Sequence, residues 1–435
     1  MRHCPEMKIY PQMNDAAEVV QRLRRGAIDA LVLQVAGAGA LFLMHTSLAR
    51  LIGAKDYGVI NYTLSLVGLL SVIVALGWPT AIMRFISQYS HGQEWGLLRG
   101  ALVRAHQMTC VLSLFVSGCI AIIAYRIPVE DHLSKSLYFT AALLPIMAYI
   151  GLRRKAFQGL RRVKISIFLE DVTLPLLVTT AAYAFSISTA RQAFWVYCFA
   201  SLIVLIVSAV WLIYSLPYQV RSVKPRFETR TWILITLPMV LGNIGQIVIN
   251  RSDVLILGLM QNMESVGIYS AANRIAMLTI FVLGGINTIA APMLASAYHS
   301  HSQEQFGKIV RMTMVWSGLG ALPLFVIMMV MPERILSLFG AEFKNGATLL
   351  RILATGQFVN AITGPVGFTL LMTGRERQYA LSITVVTVCA VLAKFLVIPV
   401  AGMTGLAVVS ATSVALLNLW LLGVGMRIAK QKKSA

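Results

Sequence analysis

Twelve long stretches without a charged side chain run through this 435-residue chain, and they restrict its fold more than any other feature. A helix that crosses a bilayer needs about 20 apolar residues, within a range of about 17–25. Most stretches meet that length, although one is short and only Lys394 separates it from the next. We place Lys394 inside the eleventh span, with a tight turn near Pro399 and Gly402 before the twelfth. The stretches are residues 30–49, 57–83, 105–125, 136–152, 172–190, 192–220, 231–250, 275–303, 312–332, 352–374, 378–393 and 395–426.

The composition supports a membrane location for these stretches. Of all residues, 57% are hydrophobic and only 12% are charged, and the mean hydropathy is +0.75. A soluble domain carries about 25% charged residues, and this chain has too little polar surface to cover a water-soluble core. The sequence therefore predicts an all-α polytopic membrane protein of about 12 transmembrane helices.

The basic charge of the chain predicts its orientation in the membrane. With the N-terminus placed in the cytoplasm, 26 of the 37 Lys and Arg residues fall in cytoplasmic segments and 7 in outer loops. This bias follows the positive-inside rule and predicts that both termini are cytoplasmic. The net charge of +20 is thereby explained without a nucleic-acid partner. The predicted segments are a cytoplasmic N-terminal segment 1–26, an N-lobe of six spans 27–216, an inter-lobe linker 217–230, a C-lobe of six spans 231–427 and a basic cytoplasmic tail 428–435.

The five cysteines are scattered, and they form neither a CxxC pair nor a cluster with histidine at metal-ligand spacing. We therefore expect no structural disulfide, no metal site and no cofactor. The longest polar segments are far below domain size, so any function must lie in the helical bundle and its short loops.

Two spans at corresponding positions of the two halves are unusually long. Residues 58–89 would form a helix of about 48 Å, longer than the hydrocarbon thickness of about 30 Å, and residues 267–298 repeat this length. Paired interruptions by glycine and proline indicate a transporter binding site, although both residues are also common in membrane helices generally. Because each half has six spans, the repeat is parallel and predicts a pseudo-two-fold arrangement. The predicted hinge residues are Gly77, Pro79, Gly284, Gly285 and Pro292.

Six short motifs occur in a defined order along the chain. Each motif is permissive alone, but their order and spacing together are specific. They are LARLIGAKDYG at 48–58, LGWPTAIMRF at 76–85, SDVLILG at 252–258, VGIYSAANR at 266–274, LFGAEF at 338–343 and GR at 374–375.

The motifs resemble those of polysaccharide-lipid flippases, and the resemblance covers nearly the whole chain. The chain is thus similar to the O-antigen and exopolysaccharide flippases of the multidrug/oligosaccharidyl-lipid/polysaccharide exporter superfamily. The peptidoglycan lipid II flippases of the same superfamily usually carry two more spans, and we expect no such pair after residue 427.

The resemblance implies a flippase that moves an undecaprenyl-pyrophosphate-linked oligosaccharide, an O-antigen or exopolysaccharide repeat unit, across the bacterial cytoplasmic (inner) membrane. Transport would use alternating access, with two six-helix lobes around a central cavity and a gradient of H+ or Na+ as the driving force. The resemblance also implies membrane lipids, a polysaccharide polymerase and chain-length machinery as partners.

A pyrophosphate inside the membrane requires cationic side chains, because an unpaired buried charge is costly. Arginine suits this task, since its planar guanidinium binds phosphate oxygens in pairs. Arg274 is the first candidate and lies about 10 Å inside the eighth span, counted from Gly267. The alternative is a clasp between Arg274 and Asp253, and both roles hold if the pair opens on substrate binding. The predicted substrate-binding residues are Arg274, Arg84, Arg251, Arg50, Arg351 and Lys394.

Several charged residues have a structural alternative. Arg251 also fits an interfacial side chain that reaches to the membrane surface, and Arg84 fits a positive-inside anchor. Asp253 is either the charge partner of Arg274 or a site for the coupling ion. For Asp29 and for the pair at 170–171, which open spans, a role as coupling ion site or charge partner competes with simple stabilisation by the helix dipole.

Two other functions remain open at this stage. A multidrug or cation antiporter of the same superfamily would favour acidic and aromatic groups over arginines in its lumen. A membrane-embedded polysaccharide polymerase or ligase, which would be an enzyme, is disfavoured because the outer loops are short and lack clustered carboxylates. The sequence therefore predicts a transporter without a catalytic site.

Overall fold

A computed structural model gives the backbone of residues 16–126, 131–299, 303–367, 370 and 376–431, and every regular element in these ranges is helical. Residues 1–15, the GR motif at 374–375 and the tail from 432 lie outside the described residues. The elements are α1 Ala16–Val74, α2 Trp78–His91, α3 Trp95–Arg126, α4 Asp131–Gly159, α5 Val163–Ile167, a π-helical turn Phe168–Thr173, α6 Leu174–Ala184, α7 Ala190–Ser215, α8 Tyr218–Ser222, α9 Thr229–Met260, α10 Met263–Ala276, α11 Leu278–His299, α12 Gln303–Val330, α13 Pro332–Leu336, a 3-10 helix Ala341–Gly346, α14 Ala347–Thr363 and α15 Glu376–Gln431.

The described helices include eight that are long and apolar enough to cross a membrane. Two of the eight have room for two crossings, since Val32–Val74 has 43 residues and Arg377–Val424 has 48. The chain is therefore a multi-pass membrane protein of helical fold. The total of twelve spans, the segment boundaries and the cytoplasmic position of both termini stay predictions.

Glycines interrupt both of these double-length helices. Gly53 in α1 has a φ of 75° and Gly402 in α15 has a φ of 54°, a region that glycine enters without a steric penalty. Gly53 falls between the stretches 30–49 and 57–83, and Gly402 falls at the turn predicted near Pro399 and Gly402. Lys394 lies within helical α15 before the break at Gly402, as predicted.

The first half of the chain (27–216) and the second half (231–427) pack closely where α1 crosses α10. A Cβ atom on Gly58 would lie 1.8 Å from the carbonyl oxygen of Met263, and one on Gly267 would lie 2.0 Å from that of Ala54. Any larger side chain would force the helices apart, so these two glycines set the distance between the halves. Small residues at such crossings are the usual means of close packing between membrane helices.

A second contact between the halves lies beyond Val74, where α2 meets α9. A Cβ atom on Gly77 would lie 2.4 Å from the carbonyl oxygen of Thr236. The rings of Trp78 and Trp232 pack edge to face with centroids 6.2 Å apart. The indole N–H of Trp232 also donates a hydrogen bond of 2.9 Å to the Tyr89 hydroxyl.

The two long stretches are interrupted differently. In the first half, the chain breaks at Leu76 and Gly77, which have φ values of 44° and 72°, as the sequence predicts. In the second half, α10 ends at Ala276 and α11 starts at Leu278, while Met277 between them keeps a right-handed φ of -64° and donates to the Asn273 carbonyl at 2.9 Å. The prediction of a break at Gly284 and Gly285 is therefore wrong.

Gly284, Gly285 and Pro292 all fall within the range of α11. No atom of the described residues lies within 4 Å of a Cβ built on either glycine. A helix interior tolerates glycine at a cost of only about 1 kcal/mol, and neighbouring groups in membrane proteins compensate for proline.

Candidate functional site

Lys394 and Asp253 form a buried ion pair in the second half. The Lys394 ammonium lies 2.5 Å from a carboxylate oxygen of Asp253, and only 6% and 14% of the two side chains are exposed. Their helices, α15 and α9, are far apart in the sequence and meet inside the bundle. Two buried charges are stable together only when their remaining hydrogen-bonding groups are also satisfied.

Neighbouring hydroxyl groups form these hydrogen bonds. The Tyr269 hydroxyl donates to Asp253 Oδ2 at 2.6 Å, and the Ser410 hydroxyl donates to Oδ1 at 2.9 Å. Lys394 also donates to the Ser252 hydroxyl at 3.0 Å. Asp253 is thus a charge partner, but its partner is Lys394 and not the predicted Arg274.

Arg251 and Arg274 form a second group, between the two halves. Their charges are close enough to repel each other, and both act on Tyr197 and His45 of the first half. A Cβ atom on Gly68 would lie 3.7 Å from Arg251 Nε, so this glycine leaves space for the guanidinium. We call Arg251 and Arg274 the central arginine pair.

Arg274 lies in the last turn of α10, just before Met277, where α10 gives way to α11. Its guanidinium interacts with the buried Tyr57 side chain, while its Nε atom is buried without a hydrogen-bond partner among the described atoms. The Tyr57 hydroxyl in turn lies 3.1 Å from His45 Nδ1.

The central arginine pair has no carboxylate against it in the part of the chain that the structure describes. The Arg251 side chain is exposed and that of Arg274 is half-buried, so a ligand can reach both. Two guanidiniums that repel each other are stabilised by an anion placed between them. The planar forks of two arginines match the oxygens of a phosphate or pyrophosphate.

The other predicted cations lie elsewhere. Arg50 Nε donates to the Leu338 carbonyl at 2.6 Å, and Arg351 Nε donates to the Met329 carbonyl at 3.2 Å. Both contacts are exposed and hold one segment of the backbone to another. Arg84 lies in a separate pocket between α2 and α4.

Asp29 pairs with Lys164, which joins α1 to α5. Both side chains are more than half exposed, at 54% for Asp29 and 53% for Lys164. A surface pair of this kind contributes about 0–1 kcal/mol to stability. The structure therefore places Asp29 in a surface contact, away from the central arginine pair.

The first half contains a charged cluster that the sequence did not single out as a site. Arg154 of α4 binds both carboxylates of the π-helical turn, with contacts of 3.1 Å to Glu170 and of 2.9 and 3.0 Å to Asp171. A cavity of about 180 Å³ lies against the three side chains and Tyr197. A Cβ atom on Gly37 would lie 2.8 Å from Asp171 Cβ, so α1 packs closely on this turn.

This cluster corrects the helix-dipole interpretation of Glu170 and Asp171. The helical segment begins at Val163, so the carboxylates lie about two turns inside it and bind a specific arginine. Two adjacent acidic residues beside an otherwise uncharged stretch are the signal that could have indicated an interior site. A π-helical turn often marks a functional position. The described residues contain no group of three His, Cys, Asp or Glu side chains placed to bind a metal.

Two family models and one curated relative match this chain. The family model described as polysaccharide biosynthesis protein matches residues 23–298, and the MatE family model matches residues 238–400. A curated relative, the probable low-salt glycan biosynthesis flippase Agl15 of Haloferax volcanii, is 22% identical over 90% of this chain and 81% of its own length.

Solved structures share the fold at low sequence identity. An inward-facing multidrug resistance MATE family transporter of the MOP superfamily has a TM-score of 0.73 and 15% identity, and the match covers 94% of this chain and 99% of that one. The lipid II flippase MurJ in an inward closed conformation has a TM-score of 0.69 and 11% identity, with 92% and 87% covered. These matches establish the architecture of the helices.

Proposed function

The chain belongs to the polysaccharide biosynthesis protein family of the multidrug/oligosaccharidyl-lipid/polysaccharide exporter superfamily, and from this we propose that it is a flippase for a lipid-linked glycan. The substrate is an oligosaccharide on undecaprenyl pyrophosphate, as an O-antigen or exopolysaccharide repeat unit. The name of the Haloferax relative supports the glycan class.

The central arginine pair is the observation that carries this proposal. Arg251 and Arg274 face the first half from the second without a carboxylate between them in the described structure. A lipid-linked glycan brings two phosphates into the membrane, and these supply the negative charge that the pair lacks. A cationic drug would instead be repelled by the two guanidiniums.

The transport cycle follows from the way the halves touch. The glycine crossing of Gly58 and Gly267 holds the predicted outer ends together, and it must open to release the substrate outward. In this proposal the chain crosses the bacterial inner membrane twelve times, both termini lie in the cytoplasm, and a gradient of H+ or Na+ drives alternating access. The same proposal makes the chain a transporter with no catalytic step.

A cation antiporter of the same superfamily is the second candidate. The MatE family model matches residues 238–400, and the first half contains an acidic cluster at Glu170 and Asp171 beside a cavity. An antiporter would bind its organic cation at such carboxylates. The cluster is already joined to Arg154, which favours the flippase.

Depletion of the protein in its native cell separates the two candidates. We expect lipid-linked oligosaccharide to accumulate on the cytoplasmic leaflet and surface polysaccharide to fall, and re-expression of the wild-type chain should reverse both effects. Normal surface polysaccharide together with altered tolerance to cationic drugs would contradict the flippase and favour the antiporter.

A further inference from the structure

A polar pocket between the ends of α2 and α4 is separate from the central arginine pair. It has a volume of about 520 Å³ and lies on the side of the chain that the flippase proposal assigns to the cytoplasm. No carboxylate is among its lining residues. Its polar residues are Arg84, Ser87, Gln88, Gln158 and Arg161, and we call it the Arg84 pocket.

Local backbone structure builds the pocket. A Cβ atom on Gly159 would lie 3.1 Å from both Met83 Cα and the Met83 carbonyl oxygen, so α4 ends in direct contact with α2. Arg161 then adopts a left-handed φ of 58°, and the next amide, of Arg162, donates back to the Phe157 carbonyl at 2.8 Å. A left-handed residue with such a returning amide is a common cap of a helix C-terminus, and it ends α4 beside α2.

The lining groups suit a phosphate ligand. Arg84 supplies a guanidinium from α2, Arg161 supplies one from the turn after α4, and Ser87 supplies a hydroxyl. Lys155 donates to the Gln158 side-chain oxygen at 3.1 Å, which leaves the amide N–H groups of Gln158 as donors. Charge-assisted bonds from arginine to phosphate are about twice as strong as neutral ones.

The depth of the pocket selects a phosphate on a membrane lipid. Gly58 lies at the predicted outer end of the bundle, and Arg84 follows it by 26 residues. At about 1.5 Å per residue, residues 58–74 supply about 24 Å of helix, and residues 78–84 supply about 9 Å more after the break at Leu76 and Gly77. Together these segments match the hydrocarbon thickness of about 30 Å. Arg84 therefore lies at the level of lipid headgroups and not in the membrane core.

Arg154 lies one turn from Gln158 on α4 and differs from Arg84. Its two Nη atoms are already bonded to Glu170 and Asp171, so its guanidinium is not available to a phosphate. Arg84 makes no ion pair within the described residues.

We propose that the Arg84 pocket binds the pyrophosphate of the lipid-linked substrate at the cytoplasmic membrane surface, before the substrate reaches the central arginine pair. This inference rests on the proposed flippase function. It assigns Arg161 and Gln158 to substrate binding, together with Arg84. The isoprenoid tail then stays in the membrane while the headgroup docks.

Binding of undecaprenyl pyrophosphate to the full chain in phosphatidylcholine nanodiscs tests the proposal. Arg84→Gln and Arg161→Gln should each weaken binding about tenfold, because each removes a charge-assisted fork worth at least one decade of affinity. Arg84→Lys keeps the charge and loses the fork, so we expect about a threefold loss. Arg230→Gln is the matched control, since Arg230 is equally exposed and lies outside the pocket, and it should bind like wild type.

Each outcome separates this inference from the flippase proposal. If wild type binds and both glutamine variants, with unchanged thermal unfolding, bind equally well, the Arg84 pocket is wrong and the flippase stands. If wild type does not bind at all, the flippase proposal fails together with the pocket. Phosphatidylglycerol in the nanodiscs should compete weakly, and competition that disappears in Arg84→Gln would assign the pocket to bulk anionic lipid and overturn our inference.

Discussion

In the second half of the molecule, Lys394 and Asp253 face each other with 6% and 14% of their side chains exposed, and three hydroxyls surround them. In the first half, Arg154 lies against Glu170 and Asp171 with exposures of 34%, 13% and 33%, beside a cavity. The first arrangement is neutral and the more deeply buried of the two, with a cavity of about 110 Å³ against it. The second sets two carboxylates against one bound arginine, is more exposed, and has a cavity of about 180 Å³ against it.

This difference shows how one bundle distributes its interior charge. The buried pair joins α9 to α15 and neutralises its own two charges, whereas the central arginine pair has no carboxylate against it among the described residues. Glu170 of the first half and the two arginines of the second all act on Tyr197. In the proposed flippase, movement of the halves would change the distance between these opposite charges, which would link substrate binding to conformation.

The largest expected effect in this comparison comes from Lys394→Met. Loss of the ammonium leaves the Asp253 carboxylate buried without a counter-charge, and breaking a buried pair costs about 3–5 kcal/mol. Thermal unfolding of the purified protein in detergent measures this loss.

The double variant Lys394→Met with Asp253→Asn is the control for that prediction. It removes both charges at once and should recover a large part of the lost stability. Equal stability of the single and double variants would show that Lys394 and Asp253 do not stabilise each other as a buried ion pair.

The glycines of the two long stretches, 58–89 and 267–298, also differ in their surroundings. Gly77→Ala places a Cβ atom 2.4 Å from the Thr236 carbonyl oxygen at a φ of 72°, and strain at such a position costs about 1–3 kcal/mol. Unfolding of this variant against wild type measures the cost.

Gly284→Ala is the matched change in the second half. Because Gly284 lies within α11 and no described atom lies within 4 Å of its Cβ position, alanine should be neutral or stabilise the protein by up to about 1 kcal/mol. A loss at Gly284 as large as that at Gly77 would restore the symmetric hinge that the sequence predicts.

Arg154→Gln should have an intermediate to small effect on stability. It leaves two adjacent carboxylates, but Asp171 is one-third exposed and water compensates for part of the loss, so we expect about 1–2 kcal/mol. Unfolding followed with and without Glu170→Gln measures the effect. If Arg154→Gln proves as costly as Lys394→Met, the carboxylates of the first half depend on their cation as strongly as Asp253 depends on Lys394.

The sequence predicts the parts of this fold that depend on local chemistry. The uncharged stretches, the break at Gly77 and the helical position of Lys394 before Gly402 all follow from composition and from the conformational freedom of glycine. The break predicted at Gly284 is wrong because a helix interior tolerates glycine, and α11 continues through this residue.

Long-range pairing could not be predicted in the same way. Asp253 and Lys394 are far apart in the chain, and only the packing of α9 on α15 makes them partners in place of Arg274. Arg154 falls between the uncharged stretches 136–152 and 172–190, and only the folded chain places it against Glu170 and Asp171. Single sequences show which charges are costly inside a membrane but not how they are joined.

The most direct measurement of the central claim is translocation of a lipid-linked oligosaccharide in sealed proteoliposomes, read as the fraction that becomes accessible on the far leaflet. Arg274→Ala should slow translocation by about tenfold or more, because it removes one guanidinium of the central arginine pair. Arg274→Lys should retain part of the rate and Arg230→Gln all of it. Translocation at the wild-type rate by Arg274→Ala would contradict a phosphate-binding role for the central arginine pair.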